Sequence, residues 1–384
     1  MNVLNKTVIS KYNEKIILIH ITDDVMSGIY AFSSTNDYPV GTIINCRISK
    51  NVQNIGSSFL RYNEKKDGFV NKVIKCESLL PLVLKKEPSN EKKALFSDKL
   101  YIEGDYCIVR ENADNILVSS KIPVESAEQI KKVFKEQFEN CGFEITVRTK
   151  TYSDNNGLNK ALCAAKEYID ILQNARQDSS HRPQYTIFYK PENDLIKAVK
   201  EGIKKGTEEL VTDDPKIYDY LKCEIEKIEC DFPVGIRLYN DTLLPLCKLY
   251  SFDAKISEVL SRKICLKSGA YITFDTTEAL TAIDVNSAKK IDSKTDKETG
   301  ILLTNTEACR EIFRQIRLRN ISGNILIDFI NMEKSESYDA LKNEINRCIK
   351  DDTINIKFYG FTKLKLAEIS RQKKKNSFYQ SYKG

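Results

Sequence analysis

Two runs of aliphatic and β-branched residues each enclose a single aspartate. They are Thr281-Ala282-Ile283-Asp284-Val285-Asn286-Ser287-Ala288 and Asn324-Ile325-Leu326-Ile327-Asp328-Phe329-Ile330-Asn331. Length and composition predict two buried strands. A bare carboxylate in such a strand is costly, so each aspartate needs a partner. Alternation turns Ile283 and Val285 to one side and Asp284 and Asn286 to the other, and Ile327 and Phe329 likewise oppose Asp328. If the two strands are neighbours, the carboxylates meet. Two carboxylates, an amide and bound water make a hard oxygen shell that suits Mg2+. Lys289, Lys290, Lys363 and Arg371 are the basic candidates for completing a phosphodiester site. The competing reading is that each aspartate caps a turn or pairs with Arg314, Arg317 or Arg319.

A chain of 384 residues predicts two to four domains. Its 41% hydrophobic and 30% charged residues are those of a globular protein with real cores. The net charge of +6 is compatible with a polyanionic partner without requiring one. The apolar stretch Ile16–Ile21 is only a strand's length, and no signal peptide is visible, so the expectation is a cytoplasmic protein without a membrane segment. Eleven cysteines are scattered singly with no CxxC pair, which fits reduced thiols and supports neither a disulfide framework nor a zinc site. Only two histidines exist, His20 in an apolar strand pattern and His181 in a polar loop, so a serine–histidine mechanism lacks material. An enzyme built from this chain relies on carboxylates and metal.

Residues 1–35 alternate as three strands, and 40–118 hold several short strands in the manner of a small β-barrel. Helical spacing over Ser126–Asn140 points Ile130, Val133 and Phe138 to a core. A strand follows at Phe143–Thr149, then a helix at Leu158–Gln173, a strand at Tyr185–Tyr189 and a helix at Asp194–Lys205 closed by Gly206. Leu210–Thr212 reads as a short strand and Pro215–Glu226 as a helix. Beyond residue 271, strands at Tyr271–Asp275, Ala279–Val285, Asn324–Asn331 and Ile354–Phe358 combine with helices at Asn305–Arg319 and Ser335–Lys350. That pattern is a layered α/β domain.

Four blocks resemble one family. They are Thr276-Thr277-Glu278-Ala279-Leu280 continuing through Lys289; Thr304-Asn305-Thr306-Glu307-Ala308 with Glu311 through Arg319; Ser322-Gly323-Asn324 through Ile330; and Leu366-Ala367-Glu368-Ile369-Ser370-Arg371-Gln372-Lys373. Together they resemble the catalytic segment of the ribonuclease E/G family. The resemblance implies an α+β and α/β multidomain fold. Residues 1–35 plus 207–270 would form a ribonuclease-H-like scaffold, and 36–120 an inserted OB-type RNA-binding barrel. Residues 121–206 would be a 5′-monophosphate sensor, and 271–384 a deoxyribonuclease-I-like catalytic domain. It implies a Mg2+-dependent endoribonuclease cutting single-stranded, AU-rich RNA in ribosomal RNA processing and messenger decay, leaving 5′-phosphate and 3′-hydroxyl ends.

By the same resemblance Asp284 and Asp328 bind the metal, Asn286 orients Asp284 or the attacking water, Lys363 lies near the scissile phosphate and Lys289 contacts RNA. The segments Ser57-Ser58-Phe59-Leu60-Arg61-Tyr62 and Lys66-Asp67-Gly68-Phe69-Val70 resemble the barrel signature, in which Phe59 and Phe69 offer faces to unstacked bases. Val147-Arg148-Thr149 resembles the pocket for a 5′-monophosphate, with Arg148 and Thr149 as its phosphate ligands. Three departures stand out. Asn331 replaces an acidic residue, and Glu111-Asn112-Ala113-Asp114-Asn115 replaces a stretch bearing a lysine. After Lys373-Lys374-Lys375 no Cys-Pro-x-Cys zinc link or small dimerisation domain follows, so zinc is unsupported, and the expectation is a form lacking these parts, either naturally short or truncated. A homodimer remains the assembly expectation, and degradosome partners are not legible. Two other functions stay open: an RNA-binding scaffold or ribosome-assembly factor with little catalysis, and a Mg2+-dependent DNA nuclease.

Overall fold

Three alternating segments at the N-terminus form β1 (Lys6–Tyr12), β2 (Lys15–Thr22) and β3 (Val25–Ser33), an antiparallel meander. Its turns hold Asn13, Glu14, Asp23 and Asp24 at positive φ, the conformation that two-residue type I′ hairpin loops require. The computed structural model describes residues 5–33, 38–88, 93–111, 114–226, 228, 232–287 and 297–383. The chain divides into two units, Met1–Thr35 with Asp194–Gly384, and Asn36–Asn193.

The inserted unit begins with β4 (Ile43–Val52), β5 (Ser57–Asn63), β6 (Lys66–Val70), β7 (Leu79–Lys86) and β8 (Ala94–Ser97). Their order is β4-β5-β6-β8-β7, and β7 pairs back to β4, so the five strands close into a barrel. The β6–β8 pairing is parallel and the others are antiparallel, an OB-like closure. Ile44, Ile48, Leu60, Tyr62, Val70, Leu82 and Phe96 fill the interior. At Gly68 a Cβ would come within 2.8 Å of the Phe96 ring and 2.9 Å of the Ala94 carbonyl oxygen, so this close approach needs glycine.

The same unit continues with β9 (Tyr101–Glu103), β10 (Cys107–Glu111), β11 (Asn115–Val118), α1 (Val124–Phe138), β12 (Phe143–Val147), α2 (Lys150–Ser153), α3 (Gly157–Asp178) and β13 (Ile187–Tyr189). The second sheet runs β11-β12-β10-β9, while β13 joins β4. The strands within 101–118 therefore lie outside the barrel: β10 and β11 pair with β12, and β9 pairs with β10. On α1 the buried residues are Ile130 and Phe134. Val133, expected toward the core, is only half-buried, because the larger ring one position later takes the inward phase.

The remaining unit returns with α4 (Asp194–Lys204), β14 (Glu209–Thr212), α5 (Pro215–Ile225), β15 (Gly235–Leu238), α6 (Leu246–Leu249) and α7 (Phe252–Leu260). Parallel pairing of β14 to β1 and of β15 to β14 gives the order β15-β14-β1-β2-β3. Asp214 caps α5 by accepting from the backbone N–H of Lys216 and Ile217, ahead of Pro215 in the first turn.

The C-terminal part comprises β16 (Lys263–Cys265), β17 (Tyr271–Thr276), β18 (Leu280–Asn286), α8 (Lys297–Arg319), β19 (Gly323–Asp328), α9 (Ser335–Lys350), β20 (Ile356–Phe361), β21 (Ala367–Arg371) and α10 (Phe378–Lys383). The sheet order is β16-β17-β18-β19-β21-β20. One face packs Ile272, Phe274, Ile283, Val285, Ile325, Ile327 and Ile369 against Ile312, Phe313, Ile316, Leu341 and Ile345 of α8 and α9. Alternate residues on the other face are exposed or half-exposed. No helix among the described residues is long and apolar enough to cross a membrane.

Candidate active site

Strands β18 and β19 are parallel neighbours, and their register pairs Asp284 with Asp328. Adjacent strands lie about 4.8 Å apart, so the two carboxylates stand side by side. On the other flank, antiparallel pairing sets Thr273 opposite Asp284 and Tyr271 opposite Asn286. Asn286 Nδ2 donates to Asp284 Oδ2 at 2.6 Å.

Both aspartates are exposed, which corrects the expectation of buried carboxylates. The strands are covered on one face only. Their sequences look wholly apolar because the open face also carries Ala282 and Leu326, and these hide the alternation. Partial desolvation, and then the neighbouring Asp284, raise the Asp328 carboxyl above its ordinary range. The arginine alternative does not hold. Arg314 bonds Glu258 and Glu311, and Arg319 donates to Gln315 and lies 4.2 Å over the Phe274 ring. Among the described residues neither aspartate pairs with an arginine.

Side-by-side carboxylates with unrelieved repulsion fit a hard divalent cation. No group of three or more His, Cys, Asp or Glu suited to a metal occurs among the described residues. The donor set is therefore lean: two carboxylates and the Asn286 amide oxygen. That suits Mg2+, which keeps much of its water, better than Zn2+.

Lys363 is exposed in the turn between β20 and β21. Thr362 Oγ1 shapes that turn by accepting the N–H groups of Leu364 and Leu366, each at 3.1 Å. Lys365 Nζ donates to the Met332 carbonyl at 2.9 Å, which pins the turn beside the segment leaving Asp328. Arg371, a candidate phosphate ligand by sequence, proves structural. It is 4% exposed, and its Nε donates to Asp352 Oδ2 at 2.9 Å while Nη1 donates to Asn320 Oδ1 and the Ile321 carbonyl. It shares strand parity with Ile369 and Ala367 and so points to the covered side. Asn331 is exposed beyond the end of β19. Lys289 and Lys290 lie outside the described residues.

Sequence reasoning assigned no role to Asn305, yet it anchors the site. Fully buried on α8, it donates from Nδ2 to the Ile330 carbonyl at 2.8 Å and accepts the Ile330 N–H at 3.0 Å, two residues after Asp328. Two turns earlier Glu298 accepts the N–H groups of Glu333 and Lys334, which hold its carboxyl below the usual range. The available signal was a helical asparagine among Ile301, Ala308, Cys309 and Ile312, all buried at helical spacing. A polar group so placed needs partners.

In the other unit Phe59 and Phe69 are direct cross-strand partners and half-exposed on the outside of the barrel, while Leu60 and Val70 point inward. Lys93 Nζ stands 5.1 Å over the Phe59 ring. Glu111, within the stretch where the resemblance led to expect a lysine, accepts Arg176 Nε at 2.6 Å; Asn112 and Ala113 lie outside the described residues. Arg148 follows β12 and is exposed, with Nη1 donating to the Gly104 carbonyl at 2.9 Å. Thr149 Oγ1 lies 3.1 Å from Ser119 Oγ. Lys150 pairs with Asp105 and stands 4.5 Å over the Tyr106 ring.

These features describe a mixed α+β protein that combines a closed, OB-like barrel bearing outward aromatics with an aspartate pair on a half-covered sheet. The model of the ribonuclease E/G family matches residues 101–374, and the chain belongs to that family. It is similar to ribonuclease E of Haemophilus influenzae, 28% identical over 301 residues that cover 77% of this chain and 31% of the relative. Against ribonuclease E of Escherichia coli the identity is 28% over 299 residues, 77% of this chain and 28% of the relative. Against ribonuclease G of Salmonella typhimurium it is 26% over 295 residues, 76% of this chain and 59% of the relative. The match spans about a third of the length of these two ribonuclease E relatives.

Proposed function

We propose that this chain is a Mg2+-dependent endoribonuclease that hydrolyses single-stranded, AU-rich RNA in ribosomal RNA processing and messenger decay in the cytoplasm. The observation that carries the reading is the in-register pairing of Asp284 and Asp328 on an open sheet face, in a member of the ribonuclease E/G family. Asp284 and Asp328 hold the metal. When bound, Mg2+ supplies a water of lowered pKa and neutralises phosphate oxygens. Asn286 fixes the rotamer of Asp284 through its 2.6 Å hydrogen bond. Asn305 holds the backbone that follows Asp328, and Lys363 brings positive charge to the scissile phosphate from the adjoining turn. Attack of water at phosphorus with departure of the 3′-oxygen leaves 5′-phosphate and 3′-hydroxyl ends.

Phe59 and Phe69 stack unpaired bases, with Lys93 and the site of Lys289 as basic contacts. Arg148 and Thr149 receive a 5′-monophosphate, which stimulates cleavage. In this reading residues 1–35 with 207–270 are the ribonuclease-H-like scaffold, 36–120 contribute the barrel through β4–β8, 121–206 contribute the sensor together with the sheet that β9–β11 share with β12, and 271–384 are the deoxyribonuclease-I-like catalytic domain. A homodimer is the proposed assembly.

The test is cleavage of a 5′-monophosphorylated, AU-rich single strand by wild type and Asp284→Asn, in Mg2+ and in EDTA. Mg2+-dependent cutting that the substitution removes supports the reading. Tight RNA binding with no cutting by wild type overturns it in favour of an RNA-binding scaffold, and equal cutting of single-stranded DNA overturns the RNA specificity.

A further inference from the structure

The open face of the C-terminal sheet carries a row that crosses four strands. Pairing sets Asp328 beside Asp284, Asp284 beside Thr273 and Thr273 beside Lys263. One step along the strands, Asn286 faces Tyr271. Lys263 and Tyr271 thus share the exposed side with the aspartates, with Lys263 two strands, or roughly 10 Å, from Asp284. Tyr271 is half-buried, so its ring is fixed against the sheet yet open on one side, and Lys263 is exposed.

Lys263 has an unusual partner. Its Nζ lies 3.7 Å from the centroid of the Tyr271 ring, and among the described residues no carboxylate pairs with it. The adjacent Arg262 is instead engaged by Asp275 through both carboxylate oxygens, at 2.5 and 2.7 Å. An ammonium resting on an aromatic face is readily exchanged for a phosphate, and the same face accepts a nucleobase. The strand spacing places this pair roughly 10 Å from Asp284, within reach of a nucleotide one or two positions from a phosphate held at the aspartates.

We propose that Tyr271 and Lys263 form a nucleotide-binding subsite on the catalytic sheet, next to the scissile phosphate. The base stacks on Tyr271 and the ammonium of Lys263 moves from the ring to the phosphate of that nucleotide. Stacking accepts any base, so the subsite positions RNA without reading sequence. This rests on the endoribonuclease reading only for its consequence in cleavage; the binding itself does not need turnover.

Two measurements separate the readings. The first is binding, in EDTA and on the Asp328→Asn background, of short single-stranded RNAs carrying one abasic position moved along the chain. The second is cleavage of the same RNAs by the Mg2+-loaded enzyme with Asp328 intact. One abasic position beside the cleavage point is expected to lower affinity and kcat/KM about tenfold. Tyr271→Ala removes that dependence and Tyr271→Phe restores it, while Lys263→Ala flattens the salt dependence of binding by about one ion. An abasic profile that is unchanged in Tyr271→Ala, or flat in wild type, overturns the subsite. No cleavage with the binding profile intact overturns the nuclease reading and leaves the subsite standing.

Discussion

Replacing Asp328 by asparagine is expected to abolish cleavage while making the metal-free protein slightly more stable. The pairing of Asp284 with Asp328 brings two negative charges to about 5 Å. At that distance, in the high effective dielectric of an open surface, repulsion is about 1 kcal/mol before screening and roughly half of that in physiological salt. The amide removes it and breaks no hydrogen bond within the site, since Asn286 donates to Asp284. In EDTA, Asp328→Asn should therefore gain about 0.5–1 kcal/mol, a rise of roughly 1–3 °C in the unfolding of its unit. Wild type should recover more than this on addition of Mg2+, through mass action on the folded state, and the variant should not. The sign with pH follows from the Asp328 carboxyl, which desolvation and Asp284 raise. The raised carboxyl favours the protonated form in the folded state, so the penalty is present at neutral pH and fades as pH falls through and below the ordinary carboxylate range. Thermal and urea unfolding with and without Mg2+ measure all of this. A loss of more than about 1 kcal/mol in EDTA would make Asp328 a structural acceptor and refute the metal-site reasoning, as would equal Mg2+ stabilisation of both proteins.

Arg371→Met leaves the Asp352 carboxylate, whose side chain is 1% exposed, without its partner, so a loss of about 3–5 kcal/mol is expected, largely recovered in Arg371→Met/Asp352→Leu; urea denaturation of the single variant at wild-type stability would contradict the buried pair. Burial pushes His20 down to about 4, so the folded state binds fewer protons than the unfolded one between roughly pH 6.5 and 4. Stability should fall by about 2–3 kcal/mol as pH drops through that window, and His20→Gln should lose the slope. Asn305→Ala leaves the Ile330 N–H and carbonyl unpaired, at about 1–3 kcal/mol each. Faster amide exchange at Ile330, together with a raised Mg2+ requirement for cleavage, is the expected signature, and unchanged exchange would remove Asn305 from the site.

Local periodicity made much of this protein legible. Helix α9 has the limits Ser335–Lys350 that its spacing predicts, because an apolar stripe of period 3.6 is written entirely within the segment. Strand parity likewise put Asp284 and Asn286 on one side and Ile283 and Val285 on the other before any partner was known. Helical spacing marks α8 only from Asn305, although it begins at Lys297, because Gly300 and the polar residues of its first turn carry little helical signal. Strand β21 is not among the strands the sequence predicts: Ala-Glu-Ile-Ser-Arg alternates strictly, but five residues are too few to stand out.

Register and coverage were out of reach of such local signals. Asp284 meets Asp328 because β18 and β19 are parallel neighbours, and a parallel pairing depends on how the connecting α8 packs, not on either strand. Which sheet face α8 and α9 cover turned the expected buried carboxylates into exposed ones. Arg371 shows the same limit from the other side. At the end of an alternating strand a cation reads as surface, and it is buried here because Asp352, Asn320 and the Ile321 carbonyl converge on it from distant segments. Side-chain periods are properties of a segment, whereas a charge is placed by the partners that compensate its desolvation, and those partners come together only when the chain has folded.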